Sequence, residues 1–267
     1  VLRGVIIGMT ENLGVLFADN VERENPAVID LIDPANPLVR SYAELNARAN
    51  AVASGLLSMS IIPGDTVGIL SLNRVEFIEV FFGIMRAGAV PVPVNVKLPS
   101  ETVHYILDDA ATKVNFVDST NQNLLPDNAV GICFDDGYAK FLNPGAFDAF
   151  EVSETDLCGL PYTSGTTGKP KGVYLTHKGQ QWAARILVEH RRLSAGCSIW
   201  ERAIEPFCCT MKDQFTALVA SESREVRTLK VNTQRQQHIV DHFQASEATT
   251  PAYTRALAVL AADKRTY

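Results

Sequence analysis

Apolar residues recur along this chain in two rhythms, one helical and one extended. Leu13, Leu16, Phe17 and Val21 fall on one helical face. Pro26 then opens an extended run through Val28, Ile29, Leu31 and Ile32. The turn-rich Asp33-Pro-Ala-Asn-Pro37 leads to Ser41-Tyr-Ala-Glu44, a capping box in which serine and glutamate satisfy the open amides of a first helical turn. Behind it Leu45, Ala49, Val52, Ala53, Leu56 and Leu57 predict a helix that Pro63-Gly-Asp65 closes.

Residues 67–72 predict a buried strand. Asn73 is the expected cap of a helix whose stripe is Phe77, Val80, Phe81, Ile84 and Met85 and whose end lies near Gly88. Residues 89–94 are extended, and Pro91 and Pro93 point to a sheet edge or a segment outside the ladder. A helix begins at Ser100 and Glu101 and runs through Ile106 and Leu107, a strand follows at 114–118, and residues 120–150 are loop-rich with one strand at 132–135. The Met and aromatic stripes read as core. Residues 157–162 and 173–176 predict two further strands. Thr176 caps a helix over about 178–190, with Trp182, Ala183, Ile186 and Leu187 at helical spacing. Strands and helices alternate, which is the α/β pattern.

The two strands bracket Tyr162-Thr-Ser-Gly-Thr-Thr-Gly-Lys-Pro-Lys-Gly172, the stretch richest in chemistry. Gly165, Gly168 and Gly172 let backbone N–H groups turn inward at φ values that a Cβ opposes. Thr163, Ser164, Thr166 and Thr167 add hydroxyl donors, and Lys169 and Lys171 add positive charge suited to a polyphosphate. Lys169 precedes Pro170 and reads as pointing to solvent, leaving Lys171 as the stronger phosphate ligand. The loop differs from the common P-loop. Only Thr166 and Thr167 separate Gly165 from Gly168, and no Gly-Lys-Ser/Thr ending follows.

This segment resembles the signature loop of the adenylate-forming enzymes, which include acyl-CoA synthetases, aryl-CoA ligases, luciferases and the adenylation domains of peptide synthetases. The resemblance extends in order through Ser41-Tyr-Ala-Glu-Leu45, Pro63-Gly-Asp65, the 73–88 run, Pro91-Val-Pro-Val-Asn95, Tyr105-Ile-Leu107 and the pair Thr176-His177. It covers residues 12–185 well. His177 itself reads as a solvent-facing residue at a helix start rather than a catalyst. Beyond about residue 190 the likeness weakens. Where the family has a histidine beside its acyl pocket, Glu205-Pro-Phe-Cys-Cys-Thr-Met211 puts Cys209. Cys208 and Cys209 invite a nucleophile reading, but adjacent cysteines on an apolar strand read as inert. Residues 211–220 and 236–244 are the expected later helices.

The resemblance implies a fold of layered α/β sheets, that of the family's amino-terminal domain, incomplete here. Residues 1–185 would form a first subdomain ending in the phosphate loop and its helix, and 186–267 part of a second, less well packed beyond 195. The family's later Tyr-Gly-x-Thr-Glu, its Thr-Gly-Asp and its carboxy-terminal thiol-transfer domain have no counterpart in the chain, which begins at valine and reads as a fragment or processed product. The implied activity is ATP-dependent conversion of a fatty or aryl carboxylic acid to an acyl-adenylate, then transfer to coenzyme A. Thr163, Ser164, Gly165, Thr166, Thr167, Gly168 and Lys171 would hold ATP. Lys171 and Thr167 would take catalytic roles, Thr167 also contacting Mg2+. Two alternatives stand beside this: a catalytically inactive binding module that keeps the front half of the fold, and a simple nucleotide-binding protein.

Composition narrows the picture modestly. At 267 residues and 46% apolar composition, the chain can bury one large core or two smaller ones. A net charge of −6 offers no basic field for a polynucleotide. The five cysteines form no Cys-x-x-Cys pair or ligand spacing, so reduced thiols in a cytoplasmic protein are the expectation. No stretch reaches the roughly 18 apolar residues of a spanning helix. A homodimer is compatible with the sequence.

Overall fold

The computed structural model of the protein describes residues 12–16, 18, 26–30, 37–163 and 169–191. The helix expected from Leu13 is, in the described part, a single 3-10 turn at Leu13–Val15. Asn12 caps this turn and ties it to the rest of the fold: its Oδ1 accepts from the Gly14 amide at 2.8 Å, while its Nδ2 donates to the Met85 and Phe150 carbonyls at 2.7 and 3.0 Å. Phe17, Val21, Leu31 and Ile32 lie outside the described residues.

Strands β1 (Pro26–Asp30) and β2 (Leu38–Ser41) form an antiparallel pair that runs into helix α1 (Tyr42–Ser58). The expected capping box is present: Ser41 N–H donates to Glu44 Oε2 at 2.8 Å, and Glu44 N–H donates to Ser41 Oγ at 3.2 Å. Leu45, Ala49, Val52, Ala53 and Leu56 are fully buried, whereas Leu57 is exposed.

Strand β3 (Thr66–Leu70) and helix α2 (Val75–Arg86) follow. The cap position of α2 is Arg74, not Asn73, and its side chain makes no capping bond. Instead Asp30 Oδ2 of β1 accepts the Val75 amide at 2.9 Å, so the open end of α2 is satisfied from a distant strand. At the other end Gly88 adopts φ +73°, and its amide and that of Ala89 donate to Met85 and Ile84 at 2.9 and 3.0 Å. Helices α1 and α2 approach closely at Gly83, where a Cβ would stand 2.5 Å from Val52 Cβ and 2.9 Å from the Ala49 carbonyl oxygen. Gly83→Ala is therefore expected to destabilise the fold by about 1–3 kcal/mol through overpacking. An unchanged urea midpoint would refute the close approach.

Strand β4 (Val90–Pro93), helix α3 (Ser100–Asp109), strand β5 (Val114–Val117) and strand β6 (Gly131–Cys133) complete a four-stranded parallel sheet of order β4-β3-β5-β6. Strand β4 tolerates two prolines because only alternate amides face β3. Val90 and Val94 donate to Asp65 and Ile69 at 2.8 and 2.9 Å, leaving the nitrogens of Pro91 and Pro93 on the outer side. Both faces of the sheet are covered. Val67, Ile69, Val114 and Phe116 pack with the α1 and α2 residues, while Leu70, Val92 and Val117 pack with Val103, Ile106 and Leu107 of α3. After β6 comes a four-residue helix, α4 (Tyr138–Phe141), in a region expected to be loop. Edge-to-face contacts of Tyr138 and Phe141 with Phe116, and of Tyr138 with Phe134, hold it on the core. No helix among the described residues is long and apolar enough to cross a membrane.

Candidate functional site

The strand expected over 157–162 is divided in two, the one expected over 173–176 is confined to 175–176, and a further short strand lies at 171–172. Strand β7 (Leu157–Gly159) pairs antiparallel with β10 (Leu175–Thr176), and β8 (Tyr162–Thr163) pairs antiparallel with β9 (Lys171–Gly172). Pro161 marks the change of partner. The Leu160 amide just before it donates to Pro91 of β4 at 2.9 Å, and the Pro161 carbonyl accepts from Val173 at 2.8 Å. Val173 and Tyr174, expected in a strand, lie between β9 and β10 and are exposed.

Strands β8 and β9 are the stem of the candidate anion loop. Thr163 stands opposite Lys171 in the register, and both residues are exposed at the end of the stem next to the loop. Ser164, Gly165, Thr166, Thr167 and Gly168, with the Mg2+ assignment to Thr167, lie outside the described residues. Lys169 does not simply point to solvent: its Nζ lies 4.7 Å from the centre of the Tyr105 ring on α3. Tyr162 donates its hydroxyl to Asp109 Oδ2 at 2.6 Å, and Tyr105 donates to Asp109 Oδ1 at 3.3 Å. Burial first, then the Asp109 carboxylate, pushes the Tyr162 phenol well above the usual tyrosine range. Tyr105 entered the sequence reading only within the Tyr105-Ile-Leu107 run and Asp109 not at all, although their four-residue separation on a helix does place them side by side.

Helix α5 (His177–Arg191) follows β10, and Thr176 Oγ1 caps it by accepting from the Gly179 amide at 3.1 Å. His177 is not solvent-facing. It is buried, its Nδ1 accepts the Leu13 amide at 3.0 Å, and burial pushes its pKa down to about 4. The residue is thus a neutral structural acceptor that joins α5 to the amino-terminal turn. The expected α5 stripe also shifts: Ala184 is buried and Trp182 is 66% exposed.

The carboxyl ends of β3, β5 and β6, where doubly wound sheets commonly receive ligands, are occupied by ion pairs. Arg74 binds Glu76, Asp118 and Asp135 at 2.8, 2.9 and 3.0 Å. Asp135 is held below the usual carboxylate range, mainly by the Ser119 amide. Cys133 and Cys158 are free thiols, and burial pushes Cys158 up to about 12, so it is not a nucleophile at neutral pH. Cys208, Cys209 and the other elements expected beyond residue 191 lie outside the described residues. Among the described groups, the hairpin end with Thr163 and Lys171 is thus the arrangement whose chemistry suits an anion.

Comparison with known proteins agrees with this architecture. A linear gramicidin synthase of Brevibacillus parabrevis is 34% identical over 191 residues, 70% of this chain and 2% of that protein. The long-chain-fatty-acid–CoA ligase FadD13 of Mycobacterium tuberculosis is 33% identical over 183 residues, 62% of this chain and 36% of the ligase. The chain therefore matches about a third of the ligase and a far smaller part of the synthase. The fold is shared with the inhibitor-bound N-terminal domain of FACL13 from Mycobacterium tuberculosis, with TM-score 0.71, 23% identity and coverage of 95% of this chain and 73% of that one. It is also shared with ATP-bound MatB of Rhodopseudomonas palustris, with TM-score 0.69, 22% identity and coverage of 91% and 52%. The family model described as AMP-binding enzyme matches residues 17–210, a span that holds the parallel sheet, the hairpin and α5, and this chain belongs to that family.

Proposed function

We propose that the protein containing this chain activates a fatty or aryl carboxylic acid with ATP and passes the acyl group to the thiol of coenzyme A. The carboxylate oxygen attacks the α-phosphorus and pyrophosphate leaves. The thiolate then attacks the acyl carbon of the adenylate, and AMP leaves. The observation that carries this reading is the 162–172 run, whose stem places Thr163 beside Lys171, both exposed, in a chain of the AMP-binding family. The names of the relatives support the choice of partners, since FadD13 is a fatty-acid–CoA ligase and MatB was solved with ATP.

Under this reading the hydroxyls of Thr163, Ser164, Thr166 and Thr167 and the amides of Gly165 and Gly168 donate to the β- and γ-phosphate oxygens. Lys171 offsets the charge that builds on departing pyrophosphate. The donor set fits an anion, because among the described residues no ion pair engages Lys171. Mg2+ enters as the nucleotide's counter-ion, with Thr167 as its candidate protein contact. A cytoplasmic site of action accompanies the reading, in keeping with the reduced thiols Cys133 and Cys158.

The test is ATP/pyrophosphate exchange with a panel of fatty, aryl and amino acids, run on the product of the complete coding sequence that contains this chain. Thr166→Ala or Thr167→Ala is expected to slow exchange about tenfold to a hundredfold, the effect of losing a hydrogen bond to a charged group. Lys171→Ala should lower kcat more than it weakens ATP binding, and Lys169→Ala should be milder. No exchange with any acid overturns the ligase reading. The inactive-module reading draws on Cys209 at the place of the family's histidine, and no exchange together with capture of a defined partner would favour it, whereas tight ATP binding by this chain alone would favour a simple nucleotide-binding protein.

A further inference from the structure

Both limbs of the hairpin that carries the candidate anion loop are fastened to one helix, α3. On the incoming limb, the Tyr162 hydroxyl donates to Asp109 Oδ2 at 2.6 Å. On the returning limb, Lys169 Nζ lies 4.7 Å from the centre of the Tyr105 ring. The two anchors meet, because the Tyr105 hydroxyl donates to the other oxygen of Asp109 at 3.3 Å. The result is a closed chain of contacts from Tyr162 through Asp109 and Tyr105 to Lys169, spanning the base of the loop. The bond to a carboxylate also leaves the Tyr105 ring richer in electron density, which favours the ammonium over its face. Lys169 is followed by Pro170, whose fixed φ limits how far the lysine backbone can swing away.

We propose that Tyr105 and Asp109 are positioning residues for the nucleotide loop: they fix the two ends of its stem and hold Lys169 on α3, leaving Lys171 as the cation that meets the polyphosphate. The inference rests on the phosphate-binding reading of the 162–172 run. A stem held in place before binding spares the nucleotide the loss of entropy that would otherwise accompany its ordering. Asp109 is exposed, and Tyr105 is only partly buried, packed at the margin of the apolar cluster that holds Val103, Ile106 and Leu107, so a leucine at 105 keeps apolar contact there while losing the ring and its hydroxyl.

The experiment compares Tyr105→Leu, Tyr105→Phe and Asp109→Ala with the parent in the product of the complete coding sequence that contains this chain, using pyrophosphate and ATP as ligands in calorimetric titration. Amide hydrogen exchange of Lys169, Lys171 and Gly172 is followed without ligand, and the urea midpoint is recorded for each variant. Tyr105→Leu should weaken pyrophosphate binding about two- to fivefold, the range of an exposed cation–π contact, and speed amide exchange in the stem while the urea midpoint stays near that of the parent. Tyr105→Phe keeps the ring and should recover most of the affinity. Asp109→Ala, which releases Tyr162, should resemble Tyr105→Leu. Equal affinity and exchange in the leucine and phenylalanine variants overturns the proposal, as does a loss of affinity that merely follows a fallen midpoint. If the parent binds neither ligand, the phosphate reading itself fails and the positioning role falls with it. The exchange data then report separately whether the contact exists.

Discussion

Replacing Glu79 with alanine is expected to remove about 3 kcal/mol of folding stability, near the lower end of what breaking a buried ion pair typically costs. The Glu79 side chain is 0% exposed. It accepts from Arg40 Nε at 3.2 Å, Arg48 Nε at 2.9 Å and the Tyr138 hydroxyl at 2.8 Å, so one carboxylate on α2 ties together β2, α1 and α4. The Arg48 guanidinium also lies 5.4 Å from the centre of the Tyr138 ring. Burial foremost, and then the charge of Glu79, pushes the Tyr138 phenol well above its usual range. The arginine side chains keep 20% and 33% exposure and can regain some hydration once the carboxylate is gone, which places the loss near the low end. Glu79→Gln preserves an acceptor while removing the charge, so its effect should be smaller. Urea denaturation of the two variants checks this. If Glu79→Ala has the parent's midpoint, the cluster is a passive consequence of the fold rather than one of its fasteners.

Acidification from pH 7 to 4 is expected to remove about 3 kcal/mol of stability through His177 alone, taking 1.36 kcal/mol per pKa unit between an ordinary histidine and a pKa of about 4. The sign follows from proton uptake. In this window the unfolded chain binds a proton at residue 177 and the folded chain does not, so stability is complete above about pH 6.5 and falls as pH drops towards 4. The cause is geometric: Nδ1 accepts the Leu13 amide in a buried setting, and protonation would turn that acceptor into a second donor. Asp156, held below the usual carboxylate range mainly by the Ser153 amide, adds loss in the same direction at lower pH. His177→Leu should lower stability at pH 7, since the Leu13 amide loses its acceptor, while flattening the slope between pH 6.5 and 4. An unchanged slope in that variant would assign the acid sensitivity elsewhere. Under the proposed phosphate-binding role, weakened nucleotide binding over the same window is also expected, because α5 begins at His177, directly after the hairpin and β10.

Much of this architecture is written in short stretches of the chain. The Ser41–Glu44 box starts α1 because both partners lie within one helical turn, and the apolar spacing of α1, α2 and α3 selects their buried faces without outside help. Strand β3 is equally plain, since a near-continuous apolar run suits a sheet covered on both sides, and β5 keeps that character except at the buried Asn115. The chemistry of the 162–172 loop is legible for the same reason, as glycines, hydroxyls and lysines adjacent in sequence stay adjacent in space.

What the local pattern missed depends on residues brought together from far apart. Asn73 offered a short-range cap for α2, yet Asp30 won the Val75 amide from 45 residues away. His177 looked suited to solvent until Leu13, 164 residues earlier, supplied the amide that holds it inside. Lys169 looked solvent-directed until α3 set the Tyr105 ring beneath it, and Trp182 fell on the outer face of α5 despite its apolar spacing. Periodicity and capping act over one or two turns, so the sequence by itself determined most of the α/β elements, the buried faces of α1, α2 and α3 apart from Leu57, and the composition of the candidate anion loop. Which helix ends are satisfied from distant strands, which polar groups are buried and where the loop's lysines are held follow from desolvation and hydrogen bonding between remote segments, which exist only once the sheet has assembled.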